Sequence, residues 1–422
     1  MTRSDTVEHC DVLVIGGGPA GSTAAAVLAE RGRHVVLVEK EAHPRFHIGE
    51  SLLPRNLALF ERMGLLDSVR AIGVYKPAAE FVSDETGHTV SFGFAGATGP
   101  GFNYSYQVRR ADLDALLFAH AGGIGARTLE RTQVTSVALN AGRRAEVIAR
   151  RNDGTTIRFA PQIVLDASGR DTFLASRLRT KIADKRNNTA AVFAHFRDVE
   201  CRTGDLAGCT TVHLAPDGWF WTIPLQHDIM SVGFVGTQSA FKTRRGSPHD
   251  LLFERIRGSP TLSARMRNAA LASEVMAAGN YSYRARAAWG DGYLLIGDAF
   301  GFIDPVFSSG VMLAMTSGEM GADTADIWLN DPAAGRRRAQ RSERRIRCAM
   351  DRMSWLIYRI NSPVLRHMFM APRNTFRMRD GIIAVLAGSM DDEPWLRLPL
   401  FAFKTMYYLL SAMQRLGLPA IR

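Results

Sequence analysis

The stretch that most constrains this chain lies near its start. An apolar run, Asp11-Val12-Leu13-Val14-Ile15, enters the turn Gly16-Gly17-Gly18-Pro19-Ala20-Gly21 and then an alanine-rich segment from Ser22 to Arg31. The run predicts a buried strand and the segment a helix. Gly16 allows the tight turn between them, Gly18 lets the backbone approach a pyrophosphate, and Gly21 lets the helix lie close against the strand. The free amides and dipole at the start of that helix then hold the anion. A second apolar run, His34-Val35-Val36-Leu37-Val38, ends at Glu39, where a carboxylate can bind ribose hydroxyls. Strand, turn, helix, strand and terminal glutamate together predict a parallel α/β sheet that binds a dinucleotide.

With 422 residues the chain exceeds one small core and should hold two or three structural units. Its 46% hydrophobic and 22% charged residues are those of a globular protein rather than a disordered or fibrous one. Met1 to Glu8 is polar and no apolar stretch approaches a membrane span, which predicts a cytoplasmic enzyme. Cys10, Cys201, Cys209 and Cys348 show no C-x-x-C and no metal-ligand spacing, which argues against a disulfide framework or zinc site, and Cys201 and Cys209 read as inert thiols. The net charge of +11 draws on a run, Arg336, Arg337, Arg338, Arg341, Arg344, Arg345 and Arg347, spaced as a helix with one basic face. Such a face is either simply solvated or docks an acidic protein or anionic ligand. No aromatic stacking platform or helix-turn-helix pattern accompanies it, so nucleic acid is not an expected partner.

Three further segments carry a family resemblance. Gly292-Tyr293-Leu294-Leu295-Ile296 leading into Gly297-Asp298-Ala299 is similar to the second fingerprint of the flavoprotein monooxygenase superfamily, whose aspartate binds the ribityl chain of FAD. Gln107-Val108-Arg109-Arg110-Ala111-Asp112-Leu113-Asp114 resembles the superfamily's Q-V-x-R-x-x-F/L-D, which places Arg110 on its FAD-contacting arginine. Val164-Leu165-Asp166-Ala167-Ser168-Gly169-Arg170 is similar to its third strand and loop. The resemblance implies an α/β fold with a discontinuous Rossmann-like FAD domain (residues 1–75, 105–178 and 275–330), a mixed-sheet substrate domain (76–104 and 179–274) and a helical C-terminal region (331–422). Within that frame Arg144 to Phe159 reads as a hairpin turning at Asn152-Asp153-Gly154, a part of the inserted sheet. Pro363, Pro372, Pro394, Pro399 and Pro419 should break the C-terminal helices into short pieces. No second dinucleotide loop is present for a nicotinamide, which fits reduced FAD delivered by a separate reductase.

Two motifs narrow the resemblance. Trp219-Phe220-Trp221-Thr222-Ile223-Pro224 fits W-x-W-x-I-P, and Phe302 with Pro305, Ser308 and Gly310 fits F-x-x-P-x-x-S-x-G; together they resemble the flavin-dependent halogenases. Gly73-Val74-Tyr75-Lys76-Pro77-Ala78-Ala79-Glu80-Phe81 is similar to that family's G-F-x-x-K-x-G-A-x-F, and Arg45-Phe46-His47-Ile48-Gly49-Glu50-Ser51-Leu52-Leu53-Pro54 to its flavin-side strap. Read alone, two tryptophans on one strand face are core packing, and a lone lysine lays its stem on the surface. Read as the family, reduced FAD and dioxygen give a C4a-hydroperoxide, chloride or bromide converts it to hypohalous acid, and Lys76 receives that acid as the catalytic residue. The amides of Ser309 and Gly310 would bind the halide, and Trp219 and Trp221 would keep substrate from the flavin. Cofactor contacts would come from Gly16, Gly18, Ala20, Gly21, Glu39, Lys40, Arg45, Arg110, Asp298 and Pro305.

One departure is informative. Tryptophan halogenases carry a glutamate directly before the serine of the second motif, where this chain has Phe307. Its loss points to a phenol or pyrrole, activated by its own heteroatom, and the length also resembles the phenol and pyrrole halogenases of natural-product biosynthesis. Some of these act on substrates tethered to an acidic carrier protein, for which the arginine run is a candidate docking face. The alternatives are a monooxygenase or reductase of the same fold, and a non-catalytic flavin-binding relative.

Overall fold

Strand Val7–Ile15 is buried along its C-terminal half and pairs in parallel with Val35–Val38 on one side and Thr156–Asp166 on the other. In a parallel sheet both faces are covered, so a continuous apolar run rather than an alternating one is what such strands require. The computed structural model describes residues 7–96, 101–140, 142–237, 240–241, 246–389 and 394–418. The N-terminal Met1 to Thr6 and Pro419 lie outside them. The chain divides into two compact units, one formed by residues 1–49, 109–184 and 282–348 and the other by 50–108, 185–281 and 349–422.

In the first unit the sheet runs, in order, Trp289–Gly290, Tyr293–Leu295, Thr156–Asp166, Val7–Ile15, Val35–Val38 and Arg127–Leu129. The first helix, Pro19–Glu30, begins one turn earlier than its alanine-rich segment suggests, because Pro19 sits in the first turn, where its missing N–H costs nothing. The hairpin at Asn152 forms as expected, with Gly154 at φ +89 and Thr156 to Phe159 paired with Val147 to Arg150. It extends the dinucleotide-binding sheet and is not part of the inserted one: Phe159 continues directly into the central strand.

In the second unit a mixed sheet has the order Lys181–Arg197 (from its residue 185 on), Ile229–Thr237, Gly218–Leu225, Thr210–Ala215, Ala78–Ser83 and Thr89–Gly93, with one parallel pairing, Thr210–Ala215 against Ala78–Ser83. Alternation sends Phe220 and Phe234 into a core closed by Leu251, Leu252 and Leu262 of helices Pro248–Arg257 and Pro260–Arg265. Trp219 and Trp221 therefore occupy the opposite face. Helices Pro363–Met370, Met378–Leu386 and Pro394–Arg415 follow.

Pro394 begins a helix as expected, but Pro399 lies inside the helix Pro394–Arg415 and does not end it. The reason is packing: Pro399 is buried, and a Cβ on Gly381 of the neighbouring helix would fall 2.7 Å from the proline ring. Gly381 thus makes the room that lets the ring replace a hydrogen bond with contact.

Candidate active site

Around the glycine turn, geometry accounts for each small residue separately. Gly16 has φ +104 and its amide donates to Val38 O at 2.7 Å. A Cβ on Gly21 would lie 1.9 Å from Gly16 O, so helix and strand can only meet through glycine there. Gly18 is different: it is extended, and a Cβ would meet nothing nearer than an Arg45 nitrogen at 3.6 Å. Its freedom is unused by the fold and leaves the backbone approachable. Ala20 is where distant sequence converges, since a Cβ on Gly297 would lie 2.9 Å from the Ala20 Cβ and one on Gly318 would lie 2.4 Å from Ala20 O. Two glycines nearly 300 positions downstream thereby bring the Asp298 turn and the helix Gly310–Asn330 against the first turn of helix Pro19–Glu30.

The charged groups of this unit are held in place. The Gly17 amide donates to Glu39 Oε2 at 2.8 Å and the Glu41 amide to Glu39 Oε1 at 2.9 Å, which fixes the buried carboxylate at the end of its strand. Asp114, fully buried, receives Arg110 twice, at 2.9 and 3.0 Å, and Arg45 once, at 3.3 Å. The other Arg45 nitrogen reaches Glu39 at 3.3 Å, and Arg110 also donates to Ile48 O at 2.8 Å. Lys40 is at the surface, paired with Asp171 at 2.5 Å. Asp298 sits on the turn Gly297–Ala299, and no described hydrogen bond reaches its carboxylate. Burial pushes it up to about 6 against the pull of Arg110 and Arg170. A half-buried carboxylate with no hydrogen-bond partner among the described residues is open to a hydroxyl of a ligand. The approachable turn, the fixed glutamate and the unmet aspartate fit a flavin dinucleotide.

Pro305 opens the one-turn helix Pro305–Phe307, Ser308 turns the chain at φ +57, and Ser309 caps the helix Gly310–Asn330. Phe307 is buried. The Ser309 side chain is fully buried with its hydroxyl unpaired among the described residues. First-turn amides of a helix this long, 21 residues, carry the positive end of its dipole, so Ser309 and Gly310 offer a neutral site for a small anion.

Lys76, Trp219 and Trp221 belong to the second unit. Lys76 ends strand Gly73–Lys76, which pairs with Ser105–Val108, and both strands contact Gly218–Leu225, the strand of the two tryptophans. Lys76 is 1% exposed. Its Nζ donates to Ser51 Oγ at 2.8 Å and to Leu52 O at 2.9 Å, and stands 5.3 Å from the centre of the Phe94 ring. Ser51 is bonded in turn to Thr210 at 2.9 Å, and Gln107 donates to Thr210 at 2.7 Å. Among the described residues no carboxylate partners Lys76, and burial brings its amine down to about 7. A buried amine without a counter-ion is seldom retained for stability alone.

Trp219 and Trp221 lie on the same sheet face with ring centres 6.0 Å apart. The Trp221 indole donates to Ser231 at 3.1 Å. Gly233, paired across the strands with Trp221, has no side chain because the indole lies where its Cβ would be, at 2.2 Å. Cys209 reads as inert in the structure too, since burial pushes its thiol up to about 11.

Comparison with known proteins identifies the frame. Residues 9–318 match the family model "FAD binding domain". The tryptophan 2-halogenase of Chondromyces crocatus is 33% identical over 318 residues, 74% of this chain and 60% of that protein. This chain is a member of the flavin-dependent halogenase family. The 1H-pyrrole-2-carbonyl-[peptidyl-carrier protein] chlorinase of Pseudomonas fluorescens is 29% identical, with 73% of each chain covered. Among solved structures, a flavoprotein/dehydrogenase from Cytophaga hutchinsonii superposes with a TM-score of 0.87 at 28% identity, covering 96% of this chain and all of that one. The myxobacterial chondrochloren halogenase CndH does so at 0.80 and 29% identity, covering 95% and 96%. The chain spans about three fifths of the length of several curated halogenases that it matches. As in its family, FAD is the cofactor, and among the described residues no helix is long and apolar enough to cross a membrane.

The sequence motif singles out Lys76 but not the residues that surround it. Ser51 and Gln107 both lie within segments quoted for other reasons, the strap and the arginine motif, and only the fold links the Lys76 amine through Ser51 to Thr210 and from there to Gln107.

Proposed function

We propose that this halogenase-family chain chlorinates or brominates an electron-rich aromatic, a phenol or a pyrrole, using reduced FAD supplied by a separate reductase. The observation that carries the reading is Lys76: a buried amine, hydrogen-bonded among the described residues to two neutral oxygens, on the unit that also carries the paired tryptophans. Reduced flavin with dioxygen supplies the oxidising power that turns halide into hypohalous acid. Gly16, Gly18, Gly21, Glu39, Arg45, Arg110 and Asp298 would bind and orient the dinucleotide, with Ala20 and Pro305 shaping its turns and Lys40 at its edge. Ser309 and Gly310 would hold the halide by their amides.

At Lys76 two roles are open to an amine brought down to about 7. Its ammonium form can donate to hypohalous acid and polarise it. Its neutral form can attack the halogen, forming N–X as the O–X bond breaks; hydroxide leaves and takes the amine proton, so that water is released. Either way halogen passes to the ring as an electrophile and the ring carbon gives up its proton. The bulky pair Trp219 and Trp221 would keep the aromatic from the flavin, where hydroxylation would compete. Phe307, with no carboxylate to assist an indole, supports a ring activated by its own oxygen or nitrogen.

The test is reduced FAD, oxygen and chloride or bromide with a panel of phenols, pyrroles and indoles, free and carrier-bound, read by isotope pattern in mass spectrometry. Halogenated phenol or pyrrole is the expected product. Hydroxylated product alone would make the chain a monooxygenase, and no product with bound flavin would make it a non-catalytic relative. The halide site has its own test. Among the described residues a Cβ on Gly310 meets nothing within 4 Å, so Gly310→Ala should fold as the wild type does while filling the space beside the amide. The apparent KM for halide should rise by about tenfold, the equivalent of one lost charge-assisted hydrogen bond.

The arginine run forms part of the helix Pro332–Ile357. Arg336 pairs with Asp291, Arg338 with Asp323 and Arg347 with Glu343. Arg337, Arg341 and Arg344 are exposed at spacings of four and three, hence on one side of the helix. These three are the residues proposed to dock an acidic carrier. Reversing all three to glutamate should lower kcat/KM for carrier-bound substrate by roughly a hundredfold at low salt, with little change for the free substrate. Equal turnover of the two substrate forms by the wild type would remove the carrier from the proposal.

A further inference from the structure

The C-terminal helix Pro394–Arg415 is apolar on two sides and buries one of them. Leu396, Pro399 and Phe403 pack into the second unit. On the other side Leu398, Phe401, Tyr408, Leu409 and, just beyond the helix, Leu416 are exposed, Phe401 by 70% and Leu416 by 74%. Their spacing of three, seven, one and seven keeps them on one stripe about five turns long. Arg397, Lys404 and Arg415 fall seven and eleven residues apart, so they form a row along one edge of that stripe, and residues 394–418 contain no aspartate or glutamate. Lys404 is held by the Trp355 ring, 5.3 Å from its centre.

We propose that this helix docks the protein onto an anionic lipid surface, lying in the plane of the headgroups with Phe401, Leu409 and Leu416 in the acyl boundary. An apolar stripe edged by cations is the pattern of an interfacial helix. Charge selects the occupant. In a two-fold contact with a second copy the row Arg397, Lys404 and Arg415 would fall beside its own like charges when the helices run antiparallel and beside the uncharged edge of the stripe when they run parallel, and in neither case does an acid of the helix answer it. Acidic headgroups answer Arg397 and Arg415, the exposed ends of the row. The length and apolarity of the helix fall short of a span, so the contact is peripheral.

The experiment is flotation of the FAD-loaded full chain with vesicles of phosphatidylcholine containing 30% phosphatidylglycerol, beside vesicles of phosphatidylcholine alone. Binding should require the anionic lipid and weaken at least about tenfold between low and high salt. Phe401→Asp with Leu409→Asp changes only exposed side chains, and should abolish flotation while circular dichroism and flavin affinity stay unchanged. Arg397→Glu with Arg415→Glu should lower binding by about tenfold or more. Wild-type protein that does not float with the anionic vesicles overturns the proposal, as does flotation undiminished in the aspartate variant. A concentration-dependent dimer in light scattering that the aspartate pair dissociates, with no flotation, would assign the stripe to a second copy instead.

Discussion

Lys76→Met is expected to abolish halogenation, by at least about a thousandfold in kcat, while the chain still binds FAD and its reduced flavin still consumes oxygen. Methionine keeps the length and most of the volume of the stem and removes only the amine, so the cavity term of an alanine substitution is avoided. Ser51 Oγ and Leu52 O lose their donor. Ser51 retains Thr210 as a partner, which limits the structural cost to the carbonyl. The two measurements are product by mass spectrometry and oxygen uptake with reduced flavin. Product formed at the wild-type rate would remove Lys76 from the chemistry.

The same residue sets a pH dependence whose direction separates its two roles. Burial places the amine near 7, so its neutral fraction rises as pH increases through about 7. If the neutral amine accepts the halogen, the rate of the halogenating step should climb across that range and level off above it. If the ammonium donates to hypohalous acid, the rate should fall instead. Single-turnover measurements of halogenation, with oxygen uptake followed in parallel as a control for the flavin step, decide between these slopes.

Gly21→Ala is expected to cost the chain both its cofactor and several degrees of thermal stability. The new methyl group would fall 1.9 Å from Gly16 O, a backbone atom tied through the Gly16 amide to Val38, so neither side can yield without opening the sheet. Overpacking of this kind costs about 3 kcal/mol or more. Gly18→Ala is the control that separates binding from folding: its Cβ has room and its backbone is extended. It should melt with the wild type yet bind FAD at least about tenfold more weakly, because the methyl group occupies the approach to the turn. Flavin fluorescence titration and thermal melting give the two readouts. Equal affinity for wild type and Gly18→Ala would remove the pyrophosphate from that position.

The glycine turn was legible because its constraints act between neighbours in sequence: a strand, a turn and a helix fix where side chains cannot be. Parity was legible in the same way, since residues two apart on a strand share a face, and it placed Trp219 with Trp221. Which face was core could not be read. Phe220, not the tryptophans, fills the cluster beneath the helices, and that follows from helices Pro248–Arg257 and Pro260–Arg265, which cover only one side. Pro399 misled for a related reason, because the glycine that accommodates it, Gly381, is on a different helix. The clamp at Asp114 was half visible: Arg110 lies one helical turn before it, whereas Arg45 arrives from 69 positions away. The unit boundaries likewise depend on packing: residues 349–422 join the mixed-sheet unit, where the sequence suggested a separate helical region from 331 onward.

Asp114 also has a consequence for how the cofactor is exchanged. It holds Arg45 and Arg110 by hydrogen bonds made within the protein, so folding itself restricts the rotamer freedom of two long side chains. Binding then demands little reordering of the protein, and release restores little disorder. A receptor of that kind can take up and surrender its ligand repeatedly without reshaping itself, which is what an enzyme needs if its flavin is a travelling reductant, charged on another protein and handed over at each cycle.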